Sequence, residues 1–299
     1  MPKLTDSLRS RLRMIEGLGR LYWGEHGYIL KEEIKSKTEW RGALSLFLEH
    51  YAFERLGGFP VYSEAAIKAV RAVAGKSRKP YPSIVGDVWQ EFKRILKTSV
   101  GTENKKVKLN EKVNPLYPRS RTWKKPLLQF ITELTTHDFN IILWARDMLS
   151  RGKAESAYEK LECVRGISQK IGTFFLRDIT YAFDISETKI GDPTYIQPAD
   201  NWVRKAAVIL LGETSNDWKL AEGLADIARK CGVSGCLMNT GLWILGSEIA
   251  ESGEYESSLT SARKLADCFN AYAEETMHWG EEIRKLAHNN LPSSSIRSL

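Results

Sequence analysis

The stretch L-E-C-V-R-G-I-S-Q-K-I-G-T-F-F-L-R-D, Leu161–Asp178, decides how this chain reads. Its first residues close a short helix near Val164. Gly166 permits a tight turn, Ile167 is an apolar plug, and Ser168 can cap a helix that opens at Gln169. Ile171, Phe174, Phe175 and Leu176 then make that second helix largely apolar. A turn of this kind presents backbone N–H groups at a helix N-terminus, where unpaired donors and the helix dipole together suit a phosphate. An ordinary corner between two core helices uses the same residue types, so the stretch alone leaves both readings open.

Outward from this corner the periodicity stays helical. Toward the N-terminus, residues 38–56 carry apolar positions at helical spacing and stop at Gly57-Gly58. Residues 62–74 follow Pro60, and 82–96 open on Pro82 and Ser83. Toward the C-terminus, helical patterns cover 127–150, 154–162, 168–183, 199–211, 217–230, 235–251 and 258–289. Strand alternation and hairpin dipeptides are hard to find, and no repeat at solenoid spacing is present. The fold class is all-α. Residues 99–125, rich in Gly, Asn, Pro and Lys, break the pattern and read as an exposed connection.

The charge is concentrated in that break. The chain has 299 residues, with 44 Lys and Arg against 37 Asp and Glu, for a net charge of +7. Residues 105–125 hold Lys105, Lys106, Lys108, Lys112, Arg119, Arg121, Lys124 and Lys125 against Glu111 alone, so this segment carries the whole surplus. A basic patch on a neutral body suits a polyanion, although a solvated loop has the same composition. Hydrophobic residues make up 42 %, which argues against disorder. No apolar run reaches the ~18–20 residues of a membrane span, and the first residues lack a signal-peptide core. These features point to a soluble intracellular protein, cytoplasmic or nucleoid-associated, with no membrane partner. Cysteines at 163, 231, 236 and 268 are too few and scattered for a disulfide scaffold.

The gly-apolar-turn pattern at 161–170 resembles the helix-hairpin-helix element of base-excision DNA glycosylases. The usual form there is leucine, proline, glycine, apolar, glycine, any residue, lysine. Here Arg165 stands for the proline and Ser168 for the second glycine. The resemblance implies that Lys170 is the nucleophilic lysine of a glycosylase/lyase. Its place in the first turn of a helix favours a neutral amine, the form that attacks carbon. It also implies that Asp200, 30 residues on in Q-P-A-D-N-W-V-R-K, is the essential aspartate at the start of the next helix. Aspartate after Pro-Ala is also a good N-cap, and one residue can hold both roles.

The long gap between Lys170 and Asp200 is similar to that of the archaeal 8-oxoguanine DNA glycosylases. In that likeness Phe174, one turn after Lys170, and Trp243, four residues after Asn239 in M-N-T-G-L-W, sandwich an extruded base. Asn239 replaces the subfamily's aspartate and offers a donor as well as an acceptor, which leaves base specificity open. Tyr51, Glu54 and Trp89 are further pocket candidates. Gly166, Ser168 and Arg165 at the hairpin, with Lys105, Lys106 and Lys108 in the basic segment, are the candidate phosphate contacts. The resemblance covers residues 150–250 and implies three parts. These are an N-terminal helical subdomain (1–104), a basic exposed connection (105–125), and a glycosylase subdomain with C-terminal helices (126–299), two helical halves flanking a cleft.

The expected activity is DNA N-glycosylase with AP-lyase, on double-stranded DNA bearing a damaged or modified base. Several glycosylases hold an iron–sulfur cluster on four close cysteines, but Cys231 and Cys236 have no such neighbours, so no cluster is expected. Zinc pairs, a P-loop and a dinucleotide fingerprint are also missing, and no cofactor is expected. A monomer is the simplest assembly. The base excised, the strand preference, and a role in genome repair or in defence against modified foreign DNA remain open at this point. The alternatives are a non-catalytic DNA-binding module that keeps only the hairpin, and an all-α interaction protein whose basic loop binds any polyanion.

Overall fold

A computed structural model describes residues 5–53, 60–75, 80, 84–99, 114–118, 123–212, 216–250 and 253–290. In chain order the elements are α1 (Asp6–Gly24), α2 (His26–Ser36), α3 (Trp40–Phe47), which runs into a π turn at Leu48–Phe53, α4 (Pro60–Ala74), α5 (Ile84–Ser99), α6 (Leu127–Thr132), α7 (Ile141–Ser150), α8 (Ala154–Glu162), α9 (Gln169–Ala182), α10 (Asn201–Leu211), α11 (Asp217–Cys231), α12 (Gly235–Ile244), which runs into a π turn at Leu245–Ile249, α13 (Tyr255–Thr260) and α14 (Ala262–Asn290). Among the described residues the fold is all-α. Its one piece of β geometry is an isolated parallel bridge between Lys125 and Val164. No helix among these residues is long and apolar enough to cross a membrane.

The chain forms two compact units. One joins the residues up to Glu32 with those from Ala199 onward, and the other is Glu33–Pro198. This differs from the division expected at 104 and 126. The physical reason lies in α1, which packs within the first unit against α12. A Cβ at Gly19 of α1 would overlap the Leu237 carbonyl, and one at Gly241 of α12 would overlap the Ile15 carbonyl. Only glycine at both positions lets the two backbones touch. The buried face of α1 (Leu8, Leu12, Ile15 and Leu18) then shares one core with Val203, Leu210, Leu224 and Leu242. Trp23 adds a hydrogen bond from its indole N–H to the Thr240 hydroxyl, at 3.2 Å. Tyr255 closes the core from α13, its hydroxyl lying 3.0 Å from the carbonyls of both Trp202 and Leu242.

The second unit has an aromatic core. Phe47 meets Phe175 edge-on at 4.9 Å, Phe130 meets Trp144 at 5.3 Å, and Trp89 meets Tyr117 at 5.2 Å. Such pairs add about 0.5–1.5 kcal/mol each beyond burial. The single helix expected over 127–150 is two. Asp138 and Phe139 take positive φ values of 49° and 62°, which breaks the helical run. Asn140, fully buried, then restarts it: its Oδ1 accepts from the N–H groups of Ile142 and Leu143, and its Nδ2 donates to the Lys37 carbonyl. The helix expected over 38–56 starts at Trp40 and widens into the π turn that carries Tyr51. Its Gly57-Gly58 stop lies outside the described residues.

Candidate functional site

The corner between α8 and α9 forms as its residue types dictate. After α8, the Val164 N–H donates to the Leu161 carbonyl at 2.9 Å and the Ile167 N–H to the Val164 carbonyl at 3.2 Å. Gly166 sits at φ 81°, in the left-handed region. Ile167 is 1 % exposed and plugs the corner. Ser168 occupies the N-cap position of α9 with extended backbone, but its side chain makes no capping hydrogen bond. It is exposed, so the first turn of α9 begins without the hydroxyl cap that the sequence suggested.

The corner is braced by the end of the basic segment. The Lys125 N–H donates to the Cys163 carbonyl at 2.8 Å, and the Arg165 N–H donates back to the Lys125 carbonyl at 2.9 Å. Lys124 reaches over with its ammonium 2.9 Å from the Ile167 carbonyl. Burial, above all, holds Lys124 below the ordinary lysine range. The Lys125 ammonium pairs with Glu133 at 2.7 Å. Two of the eight cations of 105–125 are thus structural ties. Lys105, Lys106 and Lys108 lie outside the described residues, as does Glu54.

Arg165 corrects an expectation. It is 2 % exposed, and its guanidinium donates to the Tyr117 carbonyl and lies 5.2 Å from the Tyr117 ring centroid. Burial holds its pKa below the usual arginine range. The side chain therefore points into the protein as a brace and is not presented to a phosphate. The turn is thus stiffened by a buried cation.

α9 carries Lys170, half-buried, in its first turn and Phe174 one turn later. Phe174 is 7 % exposed, and the Arg177 guanidinium lies 4.0 Å from its ring centroid. Arg177 is itself held by Asp178 at 2.9 Å, both side chains being buried. Asp178 also accepts from the hydroxyl of Tyr51, at 3.1 Å. The pocket candidate Tyr51 is thereby tied, through a buried ion pair, to the helix that bears Lys170 and Phe174. Trp89, the other described candidate, is buried against Tyr117 and Phe92.

The remaining candidates belong to the first unit. Asp200 is the N-cap of α10, its Oδ1 accepting from the Val203 N–H at 2.8 Å, and it is 5 % exposed. Its negative charge adds to burial in raising the pKa of Tyr255. Asn239 is fully buried within α12. Trp243 is partly buried against the first unit's core and meets Tyr22 edge-on at 5.8 Å. The five residues of the expected pocket thus divide between the units, Lys170 and Phe174 in the second and Asp200, Asn239 and Trp243 in the first.

Three residues near the corner were not singled out from sequence. Trp123, beside Lys124, is 68 % exposed and its ring lies 5.2 Å from the Lys124 ammonium. It is the lone tryptophan of the basic segment, a signal that was available. Gln169 opens α9, and Gln197 follows the short 3₁₀ turn Pro193–Ile196. Neither glutamine carries any sequence signal. Among the described residues no group of three or more His, Cys, Asp or Glu side chains could hold a metal ion. Comparison of the chain with protein-family models, with curated proteins and with solved structures finds no match.

Proposed function

We propose that this protein is a DNA N-glycosylase with AP-lyase activity, acting on a damaged or modified base, with an 8-oxoguanine-like purine as the first candidate. The observation that carries the reading is the corner itself. Two helices meet at a glycine of positive φ and a buried apolar plug, the second helix starts at an exposed serine that makes no side-chain cap, and a half-buried lysine sits in its first turn. The first-turn N–H groups of α9 suit a DNA phosphate without net charge, and such contacts fix register rather than sequence.

In the proposed reaction the target nucleotide leaves the stack, at a cost of a few kcal/mol, and aromatic side chains receive the base. The neutral amine of Lys170 attacks C1′, the N-glycosidic bond breaks, and the base leaves with the bonding electron pair. Loss of an amine proton and opening of the sugar ring give an iminium, the Schiff base. Loss of a C2′ proton then expels the 3′ phosphate by β-elimination. The Asp200 carboxylate stabilises the positive charge that develops on the sugar and assists proton removal from the amine.

A duplex with a single abasic site tests this. The wild-type protein should cut the strand 3′ to the site, and Lys170→Ala should bind the same duplex without cutting. A wild-type protein that neither cuts abasic DNA nor releases a base from a panel of modified oligonucleotides overturns the reading.

A second reading is a DNA-binding module without catalysis. The complete burial of Asn239 and the Arg177 cover on Phe174 favour it, because both take expected pocket groups into the protein interior. It predicts duplex binding with no cutting in the wild type.

A further inference from the structure

Among the described residues Trp123 is the most exposed of the large apolar side chains that face solvent, ahead of Ile29 and Tyr28. Its ring meets the Lys124 ammonium, and no hydrogen bond or second ring holds it among those residues. A single apolar side chain in water is ordinary on a protein surface. What marks this one is where it is held. The Lys125 backbone is bonded on both sides to the α8–α9 corner, through Cys163 at 2.8 Å and Arg165 at 2.9 Å. The Lys124 ammonium lies 2.9 Å from the Ile167 carbonyl and 5.2 Å from the centre of the Trp123 ring. Taken together, these two distances put the ring centre no more than about 8 Å from that carbonyl, which joins directly to the Ser168 N–H.

The surroundings select a partner for the ring. Trp123 lies within residues 105–125, which carry the whole surplus of +7. A flat aromatic face among cations, beside helix N–H groups suited to phosphate, fits a polyanion that also has aromatic faces, which is nucleic acid. Bases along a strand are ~3.4 Å apart, so the ring reaches bases within about two or three nucleotides of a phosphate at the start of α9. In an intact duplex both faces of each base are covered by its neighbours. An indole stacks only where that cover is missing, at a gap or on a single strand.

We propose that Trp123 is a stacking platform for an unpaired base, and that the face it forms with the α8–α9 corner takes DNA with an interrupted stack in preference to intact duplex. This rests on DNA binding at the corner, which both readings above share, and not on the chemistry of Lys170. Lys124 serves as the pedestal: its ammonium ties the segment to the Ile167 carbonyl and holds the ring at the corner's edge. The ring supplies affinity that does not depend on sequence, because every base has a π-face.

The test uses fluorescence anisotropy with three labelled DNAs of one sequence: an intact duplex, the same duplex with a short gap in one strand, and the single strand. Binding is measured for the wild type, Trp123→Ala and Trp123→Phe. The wild type should bind the gapped duplex more tightly than the intact one. Trp123→Ala should bind the gapped duplex and the single strand about 5- to 150-fold more weakly than the wild type does, with intact-duplex binding unchanged. Trp123→Phe, which keeps a ring, should retain most of the wild-type affinity. The salt dependence of binding should be the same in wild type and Trp123→Ala, because a stacked ring releases no counterions.

A wild type that binds intact and gapped duplex equally overturns the inference and leaves the proposed function standing. So does a Trp123→Ala protein that keeps full affinity for gapped DNA, or one that loses affinity for all three DNAs in equal measure. Self-association of the wild type that Trp123→Ala abolishes, with DNA binding unaltered, makes the ring a protein contact and overturns it as well. A wild type that binds none of the three DNAs removes both readings of the corner, and this inference with them.

Discussion

At Asp200 a cap and a proposed catalytic group are the same carboxylate, and substitution can separate the two roles. Asparagine caps helices as well as aspartate, so Asp200→Asn should keep the bond to the Val203 N–H and stay within a few tenths of a kcal/mol of wild-type stability. Asp200→Ala should lose about 1 kcal/mol. If the carboxylate also serves the chemistry, both variants should lose strand cutting by about 100-fold or more, since each removes the charge that meets the developing cation. Urea unfolding measured alongside cutting checks this: an Asp200→Asn protein with full activity would leave Asp200 a cap only. This residue was legible in the sequence because Pro-Ala-Asp before an apolar helix is a local signal. Arg165 was misread because nothing local shows that its partner is a carbonyl 48 residues back, at Tyr117.

At the scale of elements, helix identity was written in periodicity and helix pairing was not. The apolar stripes of 154–162 and 168–183 gave α8 and α9 to within a residue or so. The break in 127–150 was missed because it depends on two residues held at positive φ, Asp138 and Phe139, neither a glycine. The pairing of α1 with α12 was also missed. Its signal is two glycines 222 residues apart, which mean little until the backbones meet. Gly241→Ala should destabilise the protein by about 1–3 kcal/mol, because the added methyl meets the Ile15 carbonyl, an atom that cannot rotate away. Thermal unfolding checks this, and an unchanged midpoint would mean that α1 and α12 do not touch as described.

The start of α2's exit makes a second test at this scale. Glu33 is held at about 2, first by its hydrogen bond to His50 and then, against the opposing effect of burial, by Lys37. A carboxyl whose folded pKa is depressed contributes stability above its unfolded pKa and loses that contribution as pH falls through the folded one. Glu33→Gln should therefore be less stable than the wild type at pH 6, and the gap should close as pH falls from about 4.5 toward about 2. Urea midpoints across that range read it, and a gap independent of pH would contradict the pairing.

For the whole molecule, the charge arithmetic separates affinity from chemistry. The surplus of +7 resides in 105–125, while Lys170 and Asp200 belong to a part of the chain with no net charge. Replacing Lys105, Lys106 and Lys108 by alanine should therefore weaken DNA binding and flatten its salt dependence, by up to about 3 in the slope of log K against log salt if all three meet phosphates. It should not abolish cutting once the DNA is saturating. A slope equal to that of the wild type would make the segment a bystander. The central claim, that Lys170 is the nucleophile, is tested most directly by borohydride trapping on an abasic duplex followed by peptide mapping of the adduct. The account predicts one covalent protein–DNA species, with the sugar remnant on the Lys170 Nζ and no adduct in Lys170→Ala. No adduct in the wild type, or an adduct that maps elsewhere and survives Lys170→Ala, would contradict it.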